Sequence, residues 1–319
     1  MSVPEHITPS ELDDAAATIR RVAVNVRRAV EVRDDVLEDV LVALVAEGHV
    51  LVEDLPGVGK TTLARAIARS LDVAFARVQG TADLLPADLV GTNVFNQREG
   101  RFEFRPGPIF ANVVLVDEIN RASPKTQSGL LECMQERSVT VDLHTHELAR
   151  PFLVLATQNP AEFEGTYPLP EAQVDRFMVR VSLGYPSAQS EVAMLAEHEI
   201  ADRVALLETV ASAAEVLDAQ DAAARVRASD ALRGYVVALL QRTRDDERVE
   251  LGCSPRAGLM LLRAAKAKAM LELRDHAIPD DVQSLAQSVL AHRIVVAPEA
   301  LGVNGTDIVS DALLATPAL

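Results

Sequence analysis

The sequence predicts an α/β domain with a parallel, doubly wound sheet, followed by a second domain made of helices. Short apolar runs that suit buried strands alternate with helical patterns as far as residue 183, and this alternation is typical of parallel sheets covered by helices. Beyond Tyr185-Pro186 the strand signals fade, and residues 188–292 are rich in Ala and Leu with helical spacing. A chain of 319 residues is long enough for two cores. We therefore expect domains over 1–184 and 185–319, the second beginning with a linker.

Two helices are expected before the sheet. Residues 10–30 have helical periodicity, with Ser10 as a predicted N-cap. Residues 33–46 form a second amphipathic stretch, with Gly48 as its predicted C-cap. The elements predicted after them are the strands 49–53, 73–78, 113–117, 152–157 and 177–183 and the helix 60–71.

Two segments interrupt the alternation of strands and helices. Residues 93–105 (NVFNQREGRFEFR) have two alternating arms around a glycine-containing turn, which predicts a β-hairpin. Residues 138–148 (SVTVDLHTHEL) repeat this pattern directly before the strand 152–157.

The composition argues against several classes of protein. Thirty-one basic and 47 acidic residues give a net charge of −16, which repels phosphate backbones over the surface as a whole, so we expect no nucleic-acid partner unless a local basic patch exists. Cys133 and Cys253 fit neither a disulfide framework nor zinc spacing. The polar N-terminus does not resemble a signal peptide, and no stretch approaches the roughly 18 apolar residues of a membrane span. We expect a cytoplasmic protein without membrane insertion.

The strongest local signal is a predicted P-loop, the run DLPGVGKT at 54–61 between the first strand and the helix 60–71. Gly57 and Gly59 allow successive backbone N–H groups to surround phosphates. Lys60 is expected to reach the β- and γ-phosphates, and the hydroxyl of Thr61 to bind Mg²⁺. The run therefore predicts ATP and Mg²⁺ as ligands; the alternative is a glycine-rich turn that carries a helical lysine.

One position departs from the usual P-loop pattern, because Asp54 stands where the first glycine is expected. Aspartate tolerates unusual turn dihedrals, so we expect the loop to be intact.

An acidic pair supplies the second half of the predicted site. The apolar run 113–116 ends in Asp117 and Glu118, and ligands of open α/β sheets bind at such carboxyl ends of strands. Asp117 is expected to hold Mg²⁺ through water, and Glu118 to accept a proton from the attacking water or to orient it. The alternative for these two residues is a buried strand that ends in a solvated acidic turn. The residues predicted to bind the nucleotide are Asp54, Pro56, Gly57, Val58, Gly59, Lys60, Thr61, Thr62 and Asp117, with Thr61 and Asp117 as the magnesium ligands.

Three more polar residues are catalytic candidates. Asn159 follows the strand 152–157 and could position the lytic water, although Asn-Pro pairs also form simple turns. Arg256 follows a predicted Ser254 N-cap, and a cation in the first helical turn is disfavoured by roughly 0.3–1 kcal/mol, so a nearby phosphate would compensate for it. Arg176 follows a short helical piece, 170–175, where the helix dipole already favours a cation. The residues alone leave its role open.

Three runs resemble the MoxR family of AAA+ ATPases, and the resemblance covers about residues 30–300. The runs are 117–137 (DEINRASPKTQSGLLECMQER), 156–177 (ATQNPAEFEGTYPLPEAQVDRF) and 252–257 (GCSPRA). The sequence differs from the usual family residues at Gly129, Cys133 and Cys253, all in predicted helical contexts.

The resemblance implies a fold and roles that spacing alone did not give. The implied fold is an AAA+ P-loop NTPase core with sheet order 5-1-4-3-2, a hairpin inserted in the second core helix, another hairpin before the first sensor, and an all-helical lid. Asn159 matches the first sensor and Arg256 the second sensor. Arg176 matches the arginine finger, which reaches the nucleotide of a neighbouring subunit. Such a finger can raise the rate of hydrolysis roughly 10³–10⁵-fold.

The resemblance also implies a function. Proteins that this sequence resembles form rings, usually hexamers. The resemblance implies that Mg²⁺-dependent ATP hydrolysis drives a chaperone activity on protein clients, which serves cofactor or metal insertion or the assembly of complexes. A partner with a von Willebrand A domain is often involved. The alternatives are a nucleic-acid motor, a chelatase-like motor subunit, or an assembly switch controlled by nucleotide state.

Overall fold

The central element is a five-stranded parallel sheet. The structure, a computed structural model, describes residues 7–159, 165–185, 188 and 203–318. The sheet strands are β1 (Val50–Glu53), β2 (Phe75–Gln79), β5 (Val113–Asp117), β8 (Leu153–Gln158) and β9 (Val179–Val181). They lie in the order β2-β5-β8-β1-β9, and every neighbouring pair is parallel. Numbered along the chain and read from β9, this is the expected order 5-1-4-3-2.

Helices lie around the sheet and form the region that follows it. The described helices are α1 (Pro9–Arg27), α2 (Asp34–Val45), α3 (Lys60–Leu71), α4 (Pro86–Val90), α5 (Pro124–Glu136), α6 (Glu171–Val174), α7 (Ala213–Arg225), α8 (Asp230–Asp245), α9 (Pro255–Leu271), α10 (Pro279–Leu290) and α11 (Gly305–Ala315). In β5, Val113 and Leu115 belong to a core shared with α1, α2, α3 and the later helices. Val114 and Val116 belong to a second core shared with α4, α5 and Val139. Burial on both faces explains why the strands are continuously apolar.

The ends of the first two helices differ from the predictions at single residues. The N-cap of α1 is Thr8 and not Ser10, because Pro9 suits the first helical position and Glu11 completes a capping box with Thr8. After α2 the left-handed residue is Glu47, with φ 56°, and not Gly48. Gly48 is needed for close packing instead, since a Cβ there would lie 2.5 Å from the Cβ of Met178.

Both predicted hairpins are confirmed. The first pairs β3 (Gly91–Asn96) with β4 (Arg101–Pro106), and the second pairs β6 (Ser138–Val141) with β7 (His144–Glu147). The hairpins contact each other, because the His146 ring stacks on Phe104 with 4.1 Å between ring centroids and Asn93 Nδ2 donates to Asp142 Oδ2 at 2.6 Å.

The region after the sheet is helical, as predicted, with one addition. Two short strands, β10 (Val249–Leu251) and β11 (Val295–Val296), pair in antiparallel fashion, and the helical pattern gave no sign of them. The helices of this region pack on the first part of the chain, with α7 and α9 against α1.

Part of the predicted linker, residues 186 and 187, lies outside the described residues, and the division into 1–184 and 185–319 stays a prediction. Among the described helices, none has both the length and the apolar character needed to span a bilayer.

Candidate active site

The predicted P-loop connects β1 to α3 at the carboxyl edge of the sheet. Gly57 and Gly59 have φ values of 86° and 97°, a region that residues with a Cβ rarely adopt, so both glycines are required by the turn. Gly59 is the N-cap of α3, which begins at Lys60. The loop and the first turn of α3 therefore offer unpaired backbone N–H groups and the positive end of a helix dipole to an anion.

Lys60 is held close to the acidic residues of the site. Its Nζ donates to the carbonyl oxygen of Asp54 at 2.9 Å, which leaves two N–H donors for a phosphate. Partial burial lowers the pKa of Lys60 from 10.5, and the nearby Asp54, Asp117 and Glu118 oppose this shift.

The acidic pair is fixed by Thr157 on the neighbouring strand β8. The hydroxyl of Thr157 accepts from the N–H of Glu118 at 2.9 Å and donates to Asp117 Oδ1 at 3.4 Å. Thr157 is fully buried, and Asp117 is only 7% exposed. Glu118 has a φ of 53°, so the chain turns sharply there and the two carboxylates come from one strand end.

Two residues of β2 complete this edge, and neither was predicted from the sequence. Arg77 Nε donates to Asp117 Oδ2 at 2.6 Å, and Gln79 Nε2 donates to Glu118 Oε2 at 2.9 Å. Glu118 also pairs with Arg121 at 3.4 Å. The available signal was that Arg77 and Gln79 are polar, two residues apart and near the end of a predicted strand. Such alternating residues lie on one face.

These residues surround an open cavity of about 300 Å³. Its lining consists of Pro56, Gly57, Gly59, Lys60, Thr61, Thr62, Arg77, Gln79, Asp117, Glu118, Thr157 and Asn159. Asn159, at the end of β8, is 6% exposed. The structure thus brings the P-loop, the acidic pair and the predicted first sensor together at one place.

Asp54 and Val58 were predicted to bind the nucleotide, but their side chains do not line the cavity. Val58 is buried at 6% exposure. The carboxylate of Asp54 accepts from the N–H groups of Leu183 and Gly184 and from Ser182 Oγ. Asp54 has no positive φ, so this position does not use the unusual turn dihedrals that aspartate was expected to tolerate. Its side chain joins the start of the P-loop to the segment after β9.

Arg176 and Arg256 lie away from this cavity. Arg176 precedes β9, and Met178 N donates to the carbonyl of His49 just before β1, so these residues lie at the amino edge of the sheet. The four residues of β1 separate that edge from the P-loop by roughly 13 Å. Arg256 Nη2 donates to Gln135 Oε1 near the end of α5 at 3.3 Å. Neither arginine reaches the cavity of its own chain, although Ser254 does cap α9 as predicted.

The cavity fits a nucleotide with Mg²⁺ better than a resident metal ion. The described residues contain no group of three or more His, Cys, Asp or Glu side chains placed to hold a metal. Thr61 and Asp117 both line the cavity, and one hydroxyl and one carboxylate suit a Mg²⁺ ion that keeps waters and arrives with phosphate oxygens.

Comparison with known proteins agrees with this arrangement. The profile described as ATPase family associated with various cellular activities (AAA) matches residues 49–179, and that of the AAA lid domain matches 241–312. Chaperone MoxR1 of Mycobacterium tuberculosis is 40% identical over 95% of this chain and 82% of its own length. Protein MoxR of Methylorubrum extorquens is 35% identical over 89% of both chains.

Two further relatives cover most of the chain. The protein YeaC of Bacillus subtilis, which is uncharacterised, is 48% identical over 90% of both chains. A crystal structure from Cytophaga hutchinsonii, described as a candidate ATPase, superposes with a TM-score of 0.90 at 37% identity over 97% of both chains. With an AAA+ sheet, a P-loop cavity and these relatives, the chain belongs to the MoxR family of AAA+ ATPases and is an ATP-hydrolysing enzyme.

Proposed function

We propose that this ATPase is a MoxR-type chaperone that remodels or assembles protein clients, and that it works in a ring whose active sites are shared between neighbours. One observation carries the shared site. Lys60 and the acidic pair lie at the carboxyl edge of the sheet, whereas Arg176 and Arg256 lie at the amino edge. Neither arginine lines the cavity of its own chain, which supports contact with the nucleotide of another subunit. A hexamer is the ring that the family resemblance implies.

Each cavity residue has a proposed role. Lys60 binds the β- and γ-phosphates, and the P-loop N–H groups surround them. Mg²⁺, held by Thr61 and Asp117, would neutralise charge on the phosphate oxygens. Glu118 accepts a proton from the attacking water or orients it, and Asn159 positions that water. Arg176 and Arg256 of a neighbour stabilise the charge on the transferred phosphoryl group.

The hairpins are the proposed client-facing surface. Phe95 and Phe102 form a cross-strand ring pair and are 50% and 70% exposed, and Leu143 at the second turn is 95% exposed. Exposed large apolar side chains of this kind suit contact with a protein better than with a phosphate backbone. The net charge of −16 also argues against a nucleic-acid partner.

A mixing experiment tests the shared site. Lys60→Ala removes nucleotide binding but keeps an intact arginine edge, whereas Arg176→Ala keeps an intact cavity. Each variant alone should be nearly inactive, and mixed rings should regain ATP turnover wherever the cavity of one variant meets the arginine of the other. If mixtures never exceed the sum of the separate variants, the active site lies within one subunit.

An affinity capture tests the client. The Glu118→Gln variant in ATP should retain a protein client, and a partner with a von Willebrand A domain if one takes part, whereas Lys60→Ala should retain neither. Capture of nucleic acid alone would replace the chaperone by a nucleic-acid motor.

We propose a cytoplasmic location because Cys133 and Cys253 are free, buried thiols.

A further inference from the structure

The residue directly before the proposed finger, Asp175, connects two separate parts of the helical region. Arg293 Nε donates to Asp175 Oδ1 at 2.8 Å, and the Arg293 side chain is only 1% exposed. Ser254 Oγ donates to the same carboxylate, at 3.1 Å to Oδ2. We call Asp175, Ser254 and Arg293 the Asp175 cluster.

Within this cluster, Arg293 fixes the backbone on both sides of Arg176. Its guanidinium donates to the carbonyl oxygens of Asp175, Phe177 and Met178. A planar guanidinium with five donors can fill several fixed acceptors at once, which an ammonium group cannot do in the same geometry. The main chain that carries Arg176 is therefore held by a residue more than one hundred positions later in the sequence.

Ser254 ties the second arginine to the same carboxylate. Its hydroxyl is the N-cap of α9 and accepts from Ala257 N at 3.2 Å while it donates to Asp175. Arg256 lies in the first turn of that helix, two residues after the cap. One carboxylate thus sets the position of both arginines at the amino edge.

The cluster does not touch the nucleotide cavity of its own chain. Its three residues are not among the side chains that line the cavity, and they lie at the opposite edge of the sheet. In the Arg176 side chain itself, the buried Nε has no hydrogen-bond partner among the described residues. Because the backbone at Arg176 is fixed and the Nε of its guanidinium has no partner in the described part of its own chain, the side chain can form a hydrogen bond with a group on another subunit.

We infer that Asp175 and Arg293, together with Ser254, are positioning residues that hold Arg176 and Arg256 as one unit for the neighbouring active site. The inference rests on the proposed shared site. It adds that the helical region sets the geometry of the finger, so that a shift of α9 or of Arg293 changes the turnover of the next subunit and not of its own.

Asp175→Asn and Ser254→Gly are the two test variants. The second is needed because Asp175→Asn leaves the buried Arg293 without a counter-charge and could unfold the chain, whereas glycine replaces serine at an N-cap at little cost. Displacing a catalytic group by about 1 Å can cost 10²-fold, so we expect kcat to fall about 10- to 100-fold. The KM for ATP should stay the same, because the cavity is untouched. Turnover equal to the unchanged protein in both variants would overturn the inference.

Mixing with Lys60→Ala distinguishes positioning from a structural defect. A variant damaged only in the Asp175 cluster keeps a good cavity, so Lys60→Ala subunits should restore its turnover as they restore that of Arg176→Ala. If Arg176→Ala is restored and both cluster variants are not, the positioning role is wrong and the shared site stands. If Arg176→Ala is not restored either, the shared site is wrong and this inference falls with it.

Asp281→Asn is the matched control. Asp281 forms a similarly buried pair with Arg274 in the helical region, at 1% exposure and away from Arg176. Its substitution should lower the unfolding temperature yet leave kcat close to that of the unchanged protein. An equal loss of kcat in this control would attribute the effect to general weakening of the helical region and overturn the inference.

Discussion

The two edges of the central sheet are built in different ways. At the carboxyl edge Asp117 is buried at 7% exposure, but its charged neighbours keep access to solvent, since the side chains of Arg77 and Glu118 are 53% and 26% exposed. At the amino edge the polar groups are buried, with Arg293 at 1% and His49 at 5% exposure. Exposed pairs contribute about 0–1 kcal/mol each, whereas breaking a buried pair costs about 3–5 kcal/mol. At the open edge, side chains can give up their present ion pairs to bind a ligand. At the buried edge, the polar side chains keep their partners and hold the backbone in place.

The comparison predicts that changes at the open edge alter turnover and leave stability nearly unchanged. Glu118→Gln should lower kcat about 10²–10⁴-fold, because the amide cannot accept the proton of the attacking water. Nucleotide affinity should persist, since Lys60 and the P-loop are intact. Steady-state ATP hydrolysis and nucleotide binding measure the two effects.

The control for that prediction is Glu132→Gln, on the exposed side of α5, which should hydrolyse ATP normally. A Glu118→Gln variant that kept more than a tenth of the normal kcat would show that another group handles the proton.

Asp54 lies at the open edge, but its carboxylate forms hydrogen bonds within the protein, as the side chains of the buried edge do. Asp54→Gly should therefore lower stability, unlike other changes at the open edge. The substitution restores the usual P-loop glycine, yet it removes the acceptor for Leu183 N, Gly184 N and Ser182 Oγ. The N–H of Leu183 is buried and costs about 1–3 kcal/mol when unsatisfied, and the two part-buried bonds contribute about 0.5–1.5 kcal/mol each. We therefore expect a loss of about 3 kcal/mol in unfolding free energy, measured by denaturant titration. Ser182→Ala removes one of these bonds and should cost about 1 kcal/mol. Greater stability or faster turnover in Asp54→Gly would show that Asp54 is only a tolerated replacement.

Local chemistry made part of this molecule predictable from sequence. The helix 60–71 and the strand 113–117 were predicted with the bounds that the structure has, because glycines, a helix start and an apolar run are all local signals. The cavity members Lys60 and Asp117 followed from the same signals.

Long-range pairing made the rest unpredictable. Arg77 and Gln79 enter the cavity only because β2 lies beside β5. Asp54 meets residues more than 120 positions later, and a local pattern of turn residues cannot show this. Arg256 was expected near phosphate from its helix end, but the packing of α9 against Asp175 and α5 takes it to the other edge.

The buried edge should make the protein sensitive to acid. His49 accepts from Val154 N at Nδ1, and its Nε2 faces the carbonyl of Met134, so the neutral ring fills both contacts. Burial lowers the pKa of His49 to about 4 from 6.5. The unfolded chain therefore binds the proton first, and the stability from this residue is complete above pH 6.5 and lost as the pH falls to 4. The loss amounts to roughly 3 kcal/mol.

Denaturant titration between pH 7.5 and 4 checks this sensitivity. The unfolding free energy should fall less steeply with acid in His49→Gln than in the unchanged protein, although His292, whose pKa burial also lowers, keeps part of the slope in both. His144→Gln, on the exposed strand β7, is the control and should leave the slope unchanged. Identical slopes for all three proteins would show that His49 does not carry the acid response.

A substitution at Asp39 is expected to stabilise the fold, so the sign of this last effect is opposite to that at His49. Asp39 lies on α2 facing Ser288 of α10, where desolvation raises its pKa to about 7 from 3.8. A carboxyl group whose folded pKa is raised weakens the fold above pH 7, and this penalty disappears as the pH falls toward 3.8. Asp39→Asn should therefore raise the unfolding free energy by about 2 kcal/mol at pH 8. This is smaller than the energy that corresponds to the full pKa shift, because the amide also needs hydrogen-bond partners. At pH 5 the gain should be smaller than at pH 8. Asp35→Asn, an exposed neighbour on α2, should change little at either pH. An equal gain at pH 5 and pH 8 would mean that the improvement comes from packing, and that charge burial between α2 and the helical region costs the fold nothing.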